Sequence, residues 1–195
     1  IARPVVIEAL AAATGLPLHL GLYGRETWTV SDLGHWGLRE ARNTAVWPSA
    51  SGAEAIDHAV TDQELFKVMF RGESEPLIDL EQRLRPLAGE VAIHRSGQVL
   101  EFTAAAARKF SAVELLCRHF GLSTSEVISF GDTDADREML ESTGVGILMG
   151  NAGDGVAEGV ERTLMNTEDG VGMMLRRFFP TERVFDPWGT QLPTV

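Results

Sequence analysis

The sequence lacks several features that define common protein classes. Its single cysteine, Cys117, excludes an internal disulfide framework and a zinc site built from cysteine thiolates, and suits a reducing cytosol. No run approaches 18 consecutive apolar residues, so no transmembrane helix is expected. The apolar residues near the amino terminus recur at helical spacing with Arg3 and Glu8 between them. That pattern is typical of an amphipathic core helix rather than a signal peptide.

Positive charge is scarce in this chain of 195 residues. Lysine and arginine number 17 against 28 aspartates and glutamates, which gives a formal net charge of -11. Such a surface repels phosphate backbones and anionic lipid, so we expect neither nucleic acid nor a membrane as the main partner. An anionic substrate would need a bound cation or a local basic group. The composition, 44% hydrophobic and 23% charged, is that of a globular protein and excludes general disorder.

The pattern of elements changes near residue 100. Before it, the sequence predicts helices at 5–13 and 76–87, strand hairpins at 18–30 and 91–102, and a strand at 65–70. After it, short strands at 127–130, 145–149 and 163–165 alternate with helices at 110–120, 136–142, 152–161 and 169–179. This alternation is typical of a parallel sheet covered by helices. We therefore expect an α+β domain over residues 1–100 and an α/β domain over residues 101–195.

The most informative segment runs from residue 127 to 149, V-I-S-F-G-D-T-D-A-D-R-E-M-L-E-S-T-G-V-G-I-L-M. An apolar strand leads through Gly131 directly to Asp132, with Asp134 and Asp136 close behind. Ligands of parallel α/β sheets bind beyond the carboxyl ends of the strands, where Asp132 would lie. Crowded carboxylates repel one another unless a hard cation such as Mg²⁺ binds them. In the alternative interpretation, Asp134 and Asp136 only cap the next helix.

Three separated motifs in this half of the chain carry a family resemblance. They are G-D-x-x-x-D-x-x-M-L, then G-V-G-I-L-M-G-N-A, then N-T-E-D-G-V. In this order they resemble the C-terminal half of haloacid dehalogenase-like (HAD) hydrolases, and more narrowly the Cof-type, subclass IIB sugar-phosphate phosphatases. The resemblance covers residues 109–178. It implies an α/β fold: the C-terminal half of a Rossmann-like HAD core at 101–195, with an inserted α+β C2-type cap at 1–100.

The resemblance also implies roles for individual residues. Asp132 would be a magnesium ligand and Asp136 a direct or indirect supporter of the metal. Lys109 would be the catalytic cation that neutralises phosphate and nucleophile, unless it is a solvated surface lysine. Asn151 would approach the phosphate or cap a following helix. The implied protein is a cytoplasmic, Mg²⁺-dependent phosphatase that acts on a small phosphorylated metabolite, such as a sugar phosphate, through an aspartyl-phosphate intermediate.

Two departures from the family pattern matter. Ala135 stands where the family usually has an asparagine whose amide helps to hold the phosphate. The family's D-x-D-G-T nucleophile segment and its following Ser/Thr motif do not occur in these 195 residues. Together with a start at Ile1 rather than Met, this predicts that the chain is part of a longer protein and inactive alone. Two alternatives stay open: a non-catalytic binding module with the same fold, and a phosphomutase. The sequence identifies neither the substrate nor the oligomeric state.

Overall fold

The computed structural model describes residues 1–180, which form two compact units, the first spanning Ile1–Ala107 and the second beginning at Arg108. The predicted boundary near residue 100 falls inside a strand, Val99–Ala104, that pairs on both sides with strands of the first unit. The division therefore comes after that strand. Residues 181–195, the end of the predicted second domain, lie outside the described residues.

The first unit is an α+β sheet structure. Its elements in chain order are α1 (Arg3–Ala13), β1 (His19–Gly24), β2 (Trp28–Val30), α2 (His35–Thr44), β3 (Ala50–Ser51), α3 (Ala53–Asp62), β4 (Leu65–Arg71), α4 (Ser74–Leu84), β5 (Val91–Ser96) and β6 (Val99–Ala104). The six strands are ordered β3-β2-β1-β4-β6-β5. All neighbours are antiparallel except β2 and β3. Both predicted hairpins, β1–β2 and β5–β6, are confirmed.

The sheet of the first unit uses its two faces differently because side chains alternate along each strand. One face, with Leu22, Val68 and Phe102, packs against α1, α3 and α4 in the main hydrophobic core. On the other face, α2 packs through Ala41 against Trp28 and Val30 of β2. Helix α2, like β3 and α3, lies in residues 31–62, for which the sequence pattern predicts no element.

The second unit is an α/β structure built on a parallel sheet. Its elements are α5 (Lys109–Phe120), β7 (Ile128–Gly131), α6 (Arg137–Ser142), β8 (Val145–Leu148), β9 (Glu161–Arg162) and α7 (Gly170–Phe178), with a 3-10 turn at Asp134–Asp136. The strands are parallel and ordered β7-β8-β9. The predicted parallel sheet is confirmed, with its third strand two residues earlier than expected. Within the described residues, no helix is long and apolar enough to cross a membrane.

One predicted helix of this unit is wrong. No helix forms at 152–161, where Gly155 and Gly159 adopt φ values of +74° and +71°. Each glycine costs about 1 kcal/mol in a helix interior, so a glycine-rich segment forms turns instead. Helix α5 forms as predicted, although most of its apolar side chains are not fully buried. Cys117 is the buried position on it, while Leu116 and Phe120 are 55% and 66% exposed.

Candidate active site

Polar residues from three chain segments meet at the carboxyl ends of the parallel strands. Asp132 directly follows β7, Asn151 follows β8 by three residues, and Asn166 follows β9 by four. Because parallel strands end at one edge of a sheet, these residues lie close together although they are far apart in sequence. The predicted position of Asp132 beyond a strand end is the one observed.

Asp136 is the centre of the hydrogen bonds at this edge. Its buried carboxylate accepts from Lys109 Nζ at 2.5 Å through Oδ1. Its Oδ2 accepts from Thr133 Oγ1 at 2.9 Å and from the backbone amides of Thr133 and Asp132 at 3.1 and 3.2 Å. Four donors, one on Oδ1 and three on Oδ2, use most of the acceptor capacity of this carboxylate. Asp136 therefore holds the 132–136 loop and the Lys109 ammonium in one arrangement.

The charge of Asp136 is set by opposing effects. Burial by itself would raise the pKa of this carboxyl, because a low dielectric disfavours the charged form. The hydrogen bonds from Lys109, Thr133 and the backbone outweigh burial and lower the pKa of Asp136 below its ordinary value. The group is therefore ionised at neutral pH, and Lys109 faces a full negative charge.

Lys109 occupies an electrostatically unfavourable place in its helix. It is the first residue of α5, and Arg108 before it has an extended backbone. A cation at a helix N-terminus costs about 0.3–1 kcal/mol against the macrodipole. The ion pair with Asp136 offsets this cost, and the Lys109 side chain is still 55% exposed. The geometry therefore favours a positioned cation over a free surface lysine.

Asn151 connects Asp132 to the segment that follows β9. Its Nδ2 donates to Asp132 Oδ2 at 2.9 Å, and its Oδ1 accepts from the backbone amide of Asn166 at 3.1 Å. Within residues 1–180, the other oxygen of the exposed Asp132 carboxylate accepts no hydrogen bond. Because no helix begins at Ala152, the interpretation of Asn151 as a helix cap fails. Sequence reasoning did not single out Asn166, although it lies in the quoted N-T-E-D-G-V segment.

The chemistry of these donors partly fits Mg²⁺. Across the described part of the chain, no three His, Cys, Asp or Glu side chains come together as a metal site. Mg²⁺, however, commonly binds through one or two carboxylates and completes its shell with waters and substrate phosphate. Asp132 offers an exposed carboxylate oxygen for that purpose, whereas the Asp136 carboxylate is buried and already accepts four hydrogen bonds. The arrangement fits Asp132 as a ligand and Asp136 as its support.

Asp134 lies apart from these contacts. Its side chain is 73% exposed and pairs with Arg137 three residues later at 2.8 Å. This exposed ion pair gives Asp134 no part in the site, and neither Asp134 nor Asp136 caps α6 through its side chain in the described structure. Ala135, beside it, is exposed in the 3-10 turn.

Gly131 permits the close approach of Asp136 to the end of β7. A Cβ added at Gly131 would lie 2.4 Å from Asp136 Cβ and 2.7 Å from its Cγ. We expect Gly131→Ala to push Asp136 away and lower the free energy of unfolding by about 1–3 kcal/mol, as overpacking does. Urea denaturation measures this. Gly153→Ala, where a Cβ meets nothing within 4 Å, is the control. Equal stabilities of the two variants would contradict the prediction.

Comparison with known proteins identifies the family. The model of the haloacid dehalogenase-like hydrolase family matches residues 3–175. The chain belongs to this family. A haloacid dehalogenase-like hydrolase from Bacteroides thetaiotaomicron has a similar structure, with a TM-score of 0.77 and 25% identity over 92% of this chain and 68% of that one. The predicted family and fold class are both confirmed.

Two curated relatives are phosphatases by name. The HMP-PP phosphatase of Citrobacter koseri is 41% identical over 91 residues, 46% of this chain and 34% of the relative. The 5-amino-6-(5-phospho-D-ribitylamino)uracil phosphatase YitU of Bacillus subtilis is 30% identical over 122 residues, 60% of this chain and 45% of the relative. The matches therefore span less than half the length of these relatives.

Proposed function

We propose that this chain is part of a Mg²⁺-dependent phosphatase that hydrolyses a small phosphorylated metabolite, such as a sugar phosphate, in the cytoplasm. The observation that carries the proposal is the Lys109–Asp136 ion pair beside Asp132 at the carboxyl edge of the parallel sheet. Family membership and the phosphatase names of the two curated relatives support it. The single cysteine supports a reducing compartment.

Positive charge at this edge would offset the repulsion between the two negatively charged reactants. In the proposed reaction an aspartate carboxylate attacks phosphorus, the bond to the leaving alcohol breaks, and water then hydrolyses the aspartyl phosphate. Nucleophile and phosphate are both negative, and a chain of net charge -11 supplies no general positive field. The positive charge that offsets their repulsion must therefore come from groups close to the site. Lys109 supplies one positive charge, and a Mg²⁺ ion held partly by Asp132 would supply two more when bound.

The neighbouring residues keep these groups in place. Asp136 orients the Lys109 ammonium and binds the backbone amides of the 132–133 segment. Asn151 fixes one oxygen of the Asp132 carboxylate and leaves the other accessible. A site whose charges are positioned before the substrate arrives loses little energy to reorganisation during the reaction.

We further propose how the two units divide the work. The first unit, Ile1–Ala107, would be the cap that determines substrate specificity, and the second would be the C-terminal half of the core. The nucleophilic aspartate would come from a segment outside these 195 residues, since the sequence has no D-x-D-G-T motif.

Phosphate release from a panel of small phosphate monoesters tests this function. We expect Mg²⁺-dependent turnover by a protein that includes the nucleophile segment and none by the 195-residue chain. Turnover at enzymatic rates by the 195-residue chain would contradict the proposal. Ala135 favours one alternative, a non-catalytic module that would bind esters without releasing phosphate. A phosphomutase would move the phosphoryl group to a second hydroxyl without net release.

Ala135 itself provides a gain-of-function prediction. The position is exposed, so Ala135→Asn is expected to be tolerated in the fold. If an amide there reaches the phosphate, kcat/KM should rise about two- to tenfold, the value of a net hydrogen bond. Steady-state kinetics of the protein that includes the nucleophile segment measure the change. Ala135→Leu, which adds volume without a hydrogen-bond donor, is the control. The same kcat/KM for both variants would show that residue 135 does not contact the phosphate.

A further inference from the structure

Helix α2 concentrates positive charge in an acidic chain. Its exposed residues His35, Arg39 and Arg42 are spaced i, i+4 and i+7, which places them on one side of the helix. The helix has one acidic residue, Glu40, whose side chain is 12% exposed and pairs with Arg71 of β4. The exposed side of α2 therefore has no negative charge of its own.

The two arginines on this side lack acidic partners. Among residues 1–180, neither Arg39 nor Arg42 forms an ion pair, whereas Arg71 and Arg95 of the same unit do. Arg39 is nevertheless held in place. Its Nη1 donates to Gln98 Oε1 at 3.1 Å, and its guanidinium carbon lies 5.5 Å from the centre of the Trp36 ring. A guanidinium has five N–H donors, so most of those on Arg39 are available to a ligand.

These arginines line a shallow groove. Its lining comes from one face of this single helix, His35, Leu38, Arg39, Arg42 and Asn43, which we call the α2 groove. Leu38 is half-buried and supplies an apolar part, while the arginines and the Asn43 amide supply hydrogen-bond donors. No carboxylate belongs to the groove. Its chemistry is that of a site for an oxyanion.

We propose that the α2 groove binds the phosphate group of a small molecule. Two guanidinium groups match the two negative charges of a phosphate monoester, and their planar forks match its oxygens in bidentate hydrogen bonds. A small ligand is favoured over a nucleic acid because the chain as a whole, at -11, repels a polyanion. The site lies within the first unit and does not depend on the proposed phosphatase activity.

A residue-resolved titration of the full 195-residue chain tests this site. Inorganic phosphate is added to ¹⁵N-labelled protein, with sodium chloride at equal ionic strength as the reference, and amide and side-chain signals are followed by NMR. We expect saturable shifts for Arg39, Arg42, Asn43 and the Trp36 indole with phosphate but not with chloride. The double variant Arg39→Gln/Arg42→Gln should weaken binding about tenfold or more, because charge-assisted hydrogen bonds are lost.

Matched variants separate the site from general charge effects. Arg85→Gln/Arg118→Gln removes two exposed positive charges elsewhere and should leave the affinity unchanged. Lys109→Gln should also leave the shifts in α2 unchanged. The single variants Arg39→Gln and Arg42→Gln are measured alongside in case the double variant disturbs the fold. Equal shifts with chloride, undiminished affinity in all α2 variants, or an equal loss in the Arg85/Arg118 pair would overturn the proposal. None of these readouts involves turnover, so they leave the phosphatase proposal standing.

Discussion

Asp132→Ala is expected to abolish Mg²⁺-dependent phosphate release in the enzyme that includes the nucleophile segment. Asp132 provides the accessible carboxylate oxygen at the strand edge, whereas the buried Asp136 already accepts four hydrogen bonds. Losing a catalytic metal removes several kcal/mol of charge stabilisation, so kcat should fall by about a thousandfold or more. Phosphate release at high Mg²⁺ concentration measures this directly.

Asp134→Ala is the matched control for that loss. Asp134 lies two residues away, is 73% exposed and pairs with Arg137 on the surface. Its removal should change kcat/KM by no more than about twofold, since exposed ion pairs contribute little. Chemical denaturation of both variants checks that folding is intact. Similar losses of activity in both would show that the acidic loop matters only as structure.

Lys109→Ala should have the second largest effect. The ammonium lies at the start of α5, is half-exposed and is aimed by the Asp136 carboxylate. Removal of one preorganised charge from a phosphoryl-transfer site costs about 3–4 kcal/mol, or roughly a hundredfold to a thousandfold in kcat. Lys109→Arg keeps the charge but not the compact shape, and it should recover part of the activity.

The adjacent Arg108 gives the control for Lys109. Arg108 pairs with Glu138 at 2.6 Å and forms no hydrogen bond or ion pair with Asp136 in the described structure. Arg108→Ala should therefore leave kcat within about twofold, because its pair is exposed. If Arg108→Ala and Lys109→Ala reduce kcat equally, the effect belongs to the helix end rather than to Lys109.

The sequence predicts the local parts of this site well. A strand that ends in Gly131-Asp132 and a glycine-closed helix that starts near Lys109 follow from periodicity and from residue preferences that act over a few positions. The parallel order of the strands follows from the alternation of helix and strand. These are the features that position Asp132.

The remaining features depend on contacts between distant residues. Lys109 meets Asp136 across 27 positions, and Asn151 meets Asp132 across 19. No local sequence pattern indicates that the Asp136 carboxylate accepts hydrogen bonds from Lys109, Thr133 and the backbone instead of facing a metal site. The false helix at 152–161 has the same origin, because Val156 reaches the core from a turn. Hydrophobic periodicity predicts that a residue is buried, but it does not predict whether the backbone at that residue is helical or forms a turn.

The most direct test of the proposed metal-binding half-site is the dependence of phosphate release on Mg²⁺ concentration. This activation curve is measured for the wild-type protein that includes the nucleophile segment and for its Asp132→Ala and Lys109→Ala variants. Asp132 should determine how tightly Mg²⁺ binds, and Lys109 should determine the rate of phosphate release at saturating Mg²⁺. We predict that Lys109→Ala lowers the plateau but keeps the half-saturating Mg²⁺ concentration within a few-fold, and that Asp132→Ala shows no saturable activation. A wild-type activation curve for Asp132→Ala would contradict the assignment of this edge of the sheet as the metal-binding half of a phosphatase site.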